Sequence, residues 1–313
     1  MKDKKSNSHF ISVLVPVYNN QEVLDELNKR LVQVLPRLSD EYEIVLVDDG
    51  SKDNSWKKIE ALKKQNDRIV GVKLMRNFGQ HNAIAAGLEC VSGDIVVLMD
   101  ADLQDQPEDI PKLVDALLKN DVSMAISKWK SRKDSSFKLF VSRLFFKVSQ
   151  RITKIKHQPN LGVFRAMRKE VVDELKKYHE KTSSTLSLLY WIGMDFTTVE
   201  LAREERFAGK SSYTLKKMLK LALDRIFSFS MFPIRVAIYS GLAISILSFI
   251  LGIVLIIKYM SGSIAPGWTS IIVLVLFFFG VNFIFLGIIG EYLGRIFLES
   301  KQRPKFIINK ILK

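Results

Sequence analysis

Ile95-Val96-Val97-Leu98-Met99-Asp100-Ala101-Asp102-Leu103-Gln104 is an apolar run, short enough for a strand, that ends abruptly on two carboxylates. On an extended backbone alternate side chains share a face, so Asp100 and Asp102 converge while Ala101 points away. Two carboxylates on one side form a hard oxygen site for Mg²⁺ or Mn²⁺, whose shell substrate phosphates normally complete, and Gln104 adds a neutral oxygen. The same pattern of apolar run and polar end recurs upstream. Ile11 to Val17 leads into Tyr18-Asn19-Asn20, and Ile44 to Val47 leads into Asp48-Asp49-Gly50-Ser51. Ile69 to Met75 and Val122 to Ser127 read as further strands. Between them Glu22 to Leu38, Ser55 to Gln65, His81 to Cys90 and Pro107 to Lys119 carry helical spacing. Alternating helices and near-continuous apolar strands predict an α/β fold, a mostly parallel sheet covered on both faces. In such folds ligands bind beyond the carboxyl ends of the strands, where these polar residues collect.

Part of the Asp48-Asp49 pair has a local explanation. Asp53 or Asn54 suits the N-cap of the next helix, and Gly50 permits a tight turn. A carboxylate at the strand end itself is free to accept hydrogen bonds from a base or ribose. No Gly-x-Gly-x-x-Gly follows the first strand and no Gly-x-x-x-x-Gly-Lys-Ser/Thr occurs, which argues against a dinucleotide fingerprint and a P-loop. A Gly-x-Ser-x-Gly elbow is also missing, and the four histidines show no zinc spacing. His81, between Gln80 and Asn82, reads as a helix-start residue. The one cysteine, Cys90, excludes an intrachain disulfide and reads as a small buried hydrophobe in a reducing compartment.

The chain of 313 residues carries a net charge of +14, yet its mean hydropathy is +0.10. Charge and apolar mass therefore lie in different places. From Val236 to Gly290 the only Lys, Arg, Asp or Glu is Lys258. Val236 to Lys258 is about 34 Å long as a helix and Ser270 to Gly290 about 31 Å, each enough to cross a hydrocarbon core of about 30 Å. The linker Tyr259 to Thr269 lacks Lys and Arg, whereas the tail holds Arg295, Lys301, Arg303, Lys305, Lys310 and Lys313. The positive-inside rule puts both termini and the catalytic domain in the cytoplasm, in a prokaryote at the plasma membrane. Met1 to His9 has no apolar segment of a secretory signal. Two basic amphipathic stretches, about 135–155 and 213–233, suit the membrane interface. The excess of cations thus points to anionic lipid and phosphate-bearing ligands, and no zinc, RNP or basic-zipper pattern supports nucleic acid. The expected organisation is a catalytic domain over 1–212, a juxtamembrane helix over 213–233, two spans within 234–290 (236–258 and 270–290), and a basic tail over 291–313.

Val15-Pro16-Val17-Tyr18-Asn19, Val47-Asp48-Asp49-Gly50-Ser51, Arg76-Asn77-Phe78-Gly79 and Met99 to Asp105 together resemble the ordered signatures of the family 2 GT-A glycosyltransferases. Gly162 to Arg165, Arg203 to Tyr213 and the paired spans are similar to its polyprenyl-phosphate branch, and the likeness covers nearly the whole chain. The resemblance implies a GT-A (Rossmann-like) domain in which Pro16, Tyr18, Asp48 and Asp49 hold the base and ribose, with Arg76 nearby. Asn20 stands where that family commonly has Glu, and Glu22 is the nearest acidic substitute. It further implies that Asp100, Asp102 and Gln104 hold Mg²⁺ or Mn²⁺ and the donor diphosphate. Asp102, Arg206 and Arg165 become the catalytic candidates, and Arg143, Arg165 and Ser211 the acceptor-phosphate candidates. The implied substrates are a nucleotide sugar, with UDP-glucose favoured over GDP-mannose and other donors, and a polyprenyl phosphate in the bilayer. A homo-oligomer, often a tetramer in such relatives, is expected. Two rival readings are a processive polysaccharide synthase, which lacks support from any Gln-x-x-Arg-Trp segment, and a non-catalytic membrane scaffold with a nucleotide pocket.

Overall fold

The computed structural model describes residues 9–129, 150–153, 161–180, 184–202, 226–261 and 267–313. The chain divides into two compact units, Met1–Leu215 with Arg303–Lys313, and Lys216–Gln302.

The first unit is built on one sheet of 8 strands. They are β1 (Ile11–Val17), β2 (Tyr42–Asp48), β3 (Ile69–Leu74), β4 (Ile95–Leu98), β5 (Met124–Trp129), β6 (Leu161–Arg168), β7 (Phe196–Leu201) and β8 (Ile308–Leu312). Their order is β7-β5-β6-β4-β1-β2-β3-β8. The pairs β1/β2, β1/β4, β2/β3 and β5/β7 are parallel, while β6 and β8 run antiparallel to their neighbours. Every residue of β1, β2 and β4 is buried, which explains why those strands are mostly apolar rather than alternating, and the buried Ser12 and Glu43 near the starts of β1 and β2 bond each other at 2.6 Å. One face carries α1 (Leu24–Val34), α2 (Ser55–Gln65) and α4 (Ile110–Lys119), whose Leu27, Ile59 and Leu113 join Val13, Leu46 and Val97 in the main core. The other carries α3 (Gln80–Leu88), α5 (Lys169–Lys176) and α6 (Thr185–Trp191). The helix read over Glu22 to Leu38 is α1 followed by a 3₁₀ turn, Leu35–Arg37, because Pro36 supplies no backbone donor.

The region after Gly290 differs from a plain basic tail. Helix continues to Ser300, and β8 then closes the β3 edge of the sheet. The backbone N–H of Met75 donates to Ile307 O at 2.9 Å, and Lys310 Nζ reaches Glu60 Oε1 at 3.0 Å. The run Ile308–Leu312 is too short for its alternation to stand out beside the lysines that surround it.

The second unit holds α7 (Phe232–Met260) and α8 (Trp268–Ser300). Both are long and apolar enough to cross a membrane, over Phe232–Leu251 and Phe277–Ser300, and no part of either window is buried. These windows overlap the sequence-read spans 236–258 and 270–290. Gly241 on α7 faces the Phe285 ring of α8, which would stand at ordinary contact distance, 3.5 Å, from a Cβ there. At the far end of α8, Tyr292 Oη donates to Ser230 O at 2.6 Å and Arg295 Nη1 to Ser228 Oγ at 2.8 Å. The amphipathic stretches 135–155 and 213–233 lie outside the described residues except for 150–153 and 226–233.

The turn after β2 brings two loops into backbone contact. Gly50 has φ +64°, and a Cβ there would stand 2.4 Å from the carbonyl carbon of Arg76 and 2.5 Å from the nitrogen of Asn77. Gly50→Ala therefore combines a left-handed backbone with a backbone clash, and a loss of about 1–3 kcal/mol is expected. Thermal unfolding of the detergent-purified protein checks this, since an unchanged Tm would mean that the loops separate freely.

Candidate active site

In the sheet order, β2 and β3 lie to one side of β1 while β4 lies to the other. Chain order thus reverses direction between β1 and β4, and the helices leaving those two strands diverge to open a crevice at their carboxyl ends. A cleft of about 360 Å³ lies there, lined by Pro16, Val17, Tyr18 and Asn20 after β1, Asp49 after β2, Asn77, Gly79, Gln80 and Ala83 around α3, and Asp100, Ala101 and Asp102 after β4.

The mouth of the cleft is fixed by polar side chains that bond backbone. Asp49, 2% exposed, accepts the N–H of Phe78 at 2.7 Å through Oδ1 and that of Gly79 at 2.9 Å through Oδ2. Gly79 has φ +92°, a conformation that turns the chain into α3 and costs little without a side chain. Asn19, itself at φ +53°, donates its N–H to Ser51 Oγ (3.0 Å) and accepts the N–H of Lys52 through Oδ1 (2.9 Å). Asn20 donates its N–H to Ser55 Oγ at 3.0 Å, so the loops after β1 and β2 are held to each other.

Asp100 and Asp102 are half-buried and both reach the cleft, but β4 ends at Leu98 and the chain turns at Ala101 and Asp102, so strand alternation does not separate them and Ala101, packed into the core, lines the same cleft. Gln80 Nε2 donates to Asp100 Oδ1 at 2.6 Å, and Asp102 Oδ1 accepts the N–H of Gln104 at 3.2 Å. Leu103 between them has φ +56°, a backbone strain held at the site. Asp49, Asp100 and Asp102 line the cleft, and no Lys or Arg is among its described lining residues. A diphosphate would meet only negative charge there unless a divalent cation accompanied it. The hard oxygens of Asp100 and Asp102 fit Mg²⁺ or Mn²⁺. Among the described residues no three His, Cys, Asp or Glu side chains form a complete protein cage, so a metal held by two carboxylates would take its other ligands from substrate and water.

Not every sequence-read residue reaches this cleft. Asp48 is 0% exposed and lies beneath it, with Oδ1 accepting the N–H of Ser51 at 3.2 Å and Oδ2 buried without a partner. Glu22 is exposed and outside the lining, where Asn20 takes that edge. Arg76 is exposed beside the cleft, its guanidinium 4.4 Å from the Phe78 ring centroid. Gln104 contributes its backbone rather than a lining side chain. Arg143, Arg206 and Ser211 lie outside the described residues. Arg165 lies on β6 next to β4, paired with Leu98, and is 2% exposed. Its Nε donates to Val163 O at 2.9 Å and its Nη2 to Gly162 O at 2.7 Å, while Nη1 is buried with no partner. Sequence reasoning missed Asn77 and Gln80 as lining residues. Asn77 sits inside a quoted motif, and the signal for Gln80 was its place directly after the glycine that starts a helix.

Residues 12–176 match the profile of the family described as Glycosyl transferase family 2. Bactoprenol glucosyl transferase of Shigella phage SfV is 39% identical over 300 residues, 95% of this chain and 97% of the relative. Undecaprenyl-phosphate 4-deoxy-4-formamido-L-arabinose transferase of Proteus mirabilis is 33% identical over 309 residues, 96% of this chain and 94% of that one. Among solved structures, glucosyl-3-phosphoglycerate synthase from Mycobacterium tuberculosis, in complex with Mn²⁺, UDP and phosphoglyceric acid, shares the fold at a TM-score of 0.50 and 18% identity, over 70% of this chain and 76% of its own.

Burial raises the pKa of Asp48 above its ordinary value of 3.8 against the opposing hydrogen bonds from Ser51, and burial likewise raises that of Asp49 against the bonds from Phe78 and Gly79. A folded-state pKa above the unfolded one means that the native protein binds the proton more tightly. The resulting stability is fully present below the ordinary carboxylate range and is lost as pH rises through the raised value. Asp48→Asn should remove its share of that slope. The Tm difference, variant minus wild type, is expected to grow as pH rises from 3.8 through the raised pKa, and a difference independent of pH would contradict it.

Proposed function

Since the chain belongs to glycosyl transferase family 2, we propose that it moves a glycosyl residue from a nucleotide sugar to a polyprenyl phosphate, giving a lipid-linked monosaccharide. The observation that carries the reading is the cleft at the β1/β4 switch, where Asp100 and Asp102 face a nucleotide-sized space with no lining Lys or Arg. A phosphate oxygen of the acceptor attacks the anomeric carbon. The new C–O bond forms as the bond from that carbon to the donor diphosphate breaks, with inversion, and a nucleoside diphosphate leaves. The attacking phosphate is already ionised at neutral pH, so the chain need not supply a general base. Its work is positioning and charge stabilisation.

Tyr18, 42% exposed at the rim, and Asp49 with Asn20 and Asn77 form the edge against which the base and ribose rest. Asp100 and Asp102 hold Mg²⁺ or Mn²⁺, and the bound ion supplies neutralisation of the charge that develops on the diphosphate. Gln80 steadies the Asp100 carboxylate. Arg165 brings a buried guanidinium whose third arm is unpaired, an arrangement that is costly until an anion meets it. Arg143, Arg206 and Ser211 keep the phosphate-binding roles that the family resemblance gives them.

UDP-glucose is the favoured donor, since several relatives are glucosyl transferases, and the arabinose transferase of Proteus mirabilis marks the main alternative class. Relatives named for bactoprenol or undecaprenyl phosphate, and two apolar helices exposed along their length, support an integral membrane protein whose acceptor stays in the bilayer. The catalytic unit and both termini then face the cytoplasm, in line with the Lys and Arg of the tail. A homo-oligomer is part of the same proposal.

Full-length protein, radiolabelled UDP-glucose, undecaprenyl phosphate and Mn²⁺ test this directly. A lipid-extractable monosaccharide is the expected product. A long polymer would support a processive synthase, and no product with any sugar nucleotide a scaffold. Asp102→Ala is expected to lower transfer at least about 100-fold while membrane insertion persists, and full activity in that variant or in excess chelator would remove the metal assignment.

A further inference from the structure

Next to the donor cleft, but not among its lining residues, lies a second polar centre formed by β6 and the first turns of α3 and α6. His81 follows Gln80 on α3, one residue from the side chain that reaches Asp100. Its Nδ1 is 3.2 Å from Ser184 Oγ, and its carbonyl accepts the hydroxyl of Thr185 at 3.2 Å. The start of α6 therefore holds both the backbone and the ring of this residue. Arg165 lies close enough for its charge to act on the imidazole, and its guanidinium also stands 5.8 Å over the Tyr190 ring of α6.

Three observations point to an anion. Arg165 is almost wholly buried, with Nη1 unpartnered. No carboxylate among the described residues pairs with Arg165 or His81. His81 is nevertheless an exposed residue at the edge of this centre, so a ligand can approach it. A buried cation stabilises the fold poorly when alone and binds an oxyanion strongly when one arrives. The donor diphosphate belongs to Asp100 and Asp102, across Gln80. The remaining anion in the reaction is the phosphate monoester of the acceptor.

We infer that His81, oriented by Ser184, is an acceptor-recognition residue that donates a hydrogen bond from Nε2 to the acceptor phosphate beside Arg165. This rests on the reading of the acceptor as a polyprenyl phosphate. This role requires the Ser184 hydroxyl to donate to Nδ1, which leaves the ring proton on Nε2 for a ligand. Desolvation by the surrounding protein, followed by the Arg165 charge, lowers the imidazole pKa, which favours this neutral donor over a second cation in the free protein. A serine beside a histidine is also the opening of a nucleophile and base pair, but no described carboxylate orients the ring for that task. By this arrangement one helical turn serves both substrates, with Gln80 at the metal ligand and His81 at the acceptor.

The test uses full-length enzyme in detergent with undecaprenyl phosphate as the varied substrate and UDP binding measured separately. His81→Ala is expected to raise KM for undecaprenyl phosphate about 10-fold, with a smaller change in kcat and with UDP affinity within about twofold. His81→Gln, whose side-chain amide can still donate, should recover part of the loss, and Ser184→Ala should shift KM in the same direction by less. Unchanged acceptor KM in His81→Ala, or an equal loss of UDP affinity in both His81 variants, overturns the inference while leaving the transfer reaction standing. If wild-type enzyme forms no lipid-linked sugar from any sugar nucleotide, the transfer reading falls and this role falls with it.

Discussion

One buried carboxylate ties the site together. Asp49 gives each of its oxygens to a backbone N–H, of Phe78 and of Gly79, and so joins the end of β2 to the entry of α3. Everything that α3 presents depends on that junction. Asn77 and Gly79 line the cleft, Gln80 bonds Asp100 across it, and His81 meets Ser184. The bonds oppose the desolvation that burial imposes on Asp49, which is why a charged group can be used as a brace here. Gly50, lying against the backbone of Arg76 and Asn77, keeps the two loops close enough for the brace to form.

The electrostatics of the catalytic unit run opposite to those of the whole chain. The protein carries a net charge of +14, yet the described lining of its cleft contains three aspartates and no Lys or Arg. A buried guanidinium lies elsewhere, in Arg165 on β6 next to β4. In the proposed reaction, separating the two signs would divide the labour between two phosphate-bearing substrates. The side with carboxylates needs a divalent cation and suits a diphosphate, whereas the side with a guanidinium can take a monoester without one.

Much of this was legible in the sequence because of where strands end. β1, β2 and β4 are buried on both faces, so apart from Ser12 and Glu43 near their starts the runs are apolar and the polar residues that stop them are conspicuous. Tyr18, Asp49, Asp100 and Asp102 were read on that ground, and the cleft contains all four. Sequence alone could not tell a lining aspartate from one beneath the lining. Asp48 and Asp49 are neighbours on a strand end, and only the pleat decides that Asp48 is enclosed. Nor could it see Gln80 or His81 as site residues, since an amide and an imidazole at a helix start have an ordinary local explanation and acquire a role only when β4, β6 and α6 arrive from elsewhere in the chain. β8 was hidden for a related reason. A five-residue strand among lysines carries little periodic signal, and what makes it a strand is the β3 edge waiting more than 200 residues earlier.

That last strand has a consequence for how the protein is made. β8 leaves the ribosome after both apolar helices, so the β3 edge stays open throughout synthesis of α7 and α8. An open edge is a template for pairing with other chains. For the same reason, a soluble fragment cut before the apolar helices would lose a strand of its own sheet along with its membrane anchor, whereas one that rejoined 303–313 to the catalytic unit would keep the sheet complete.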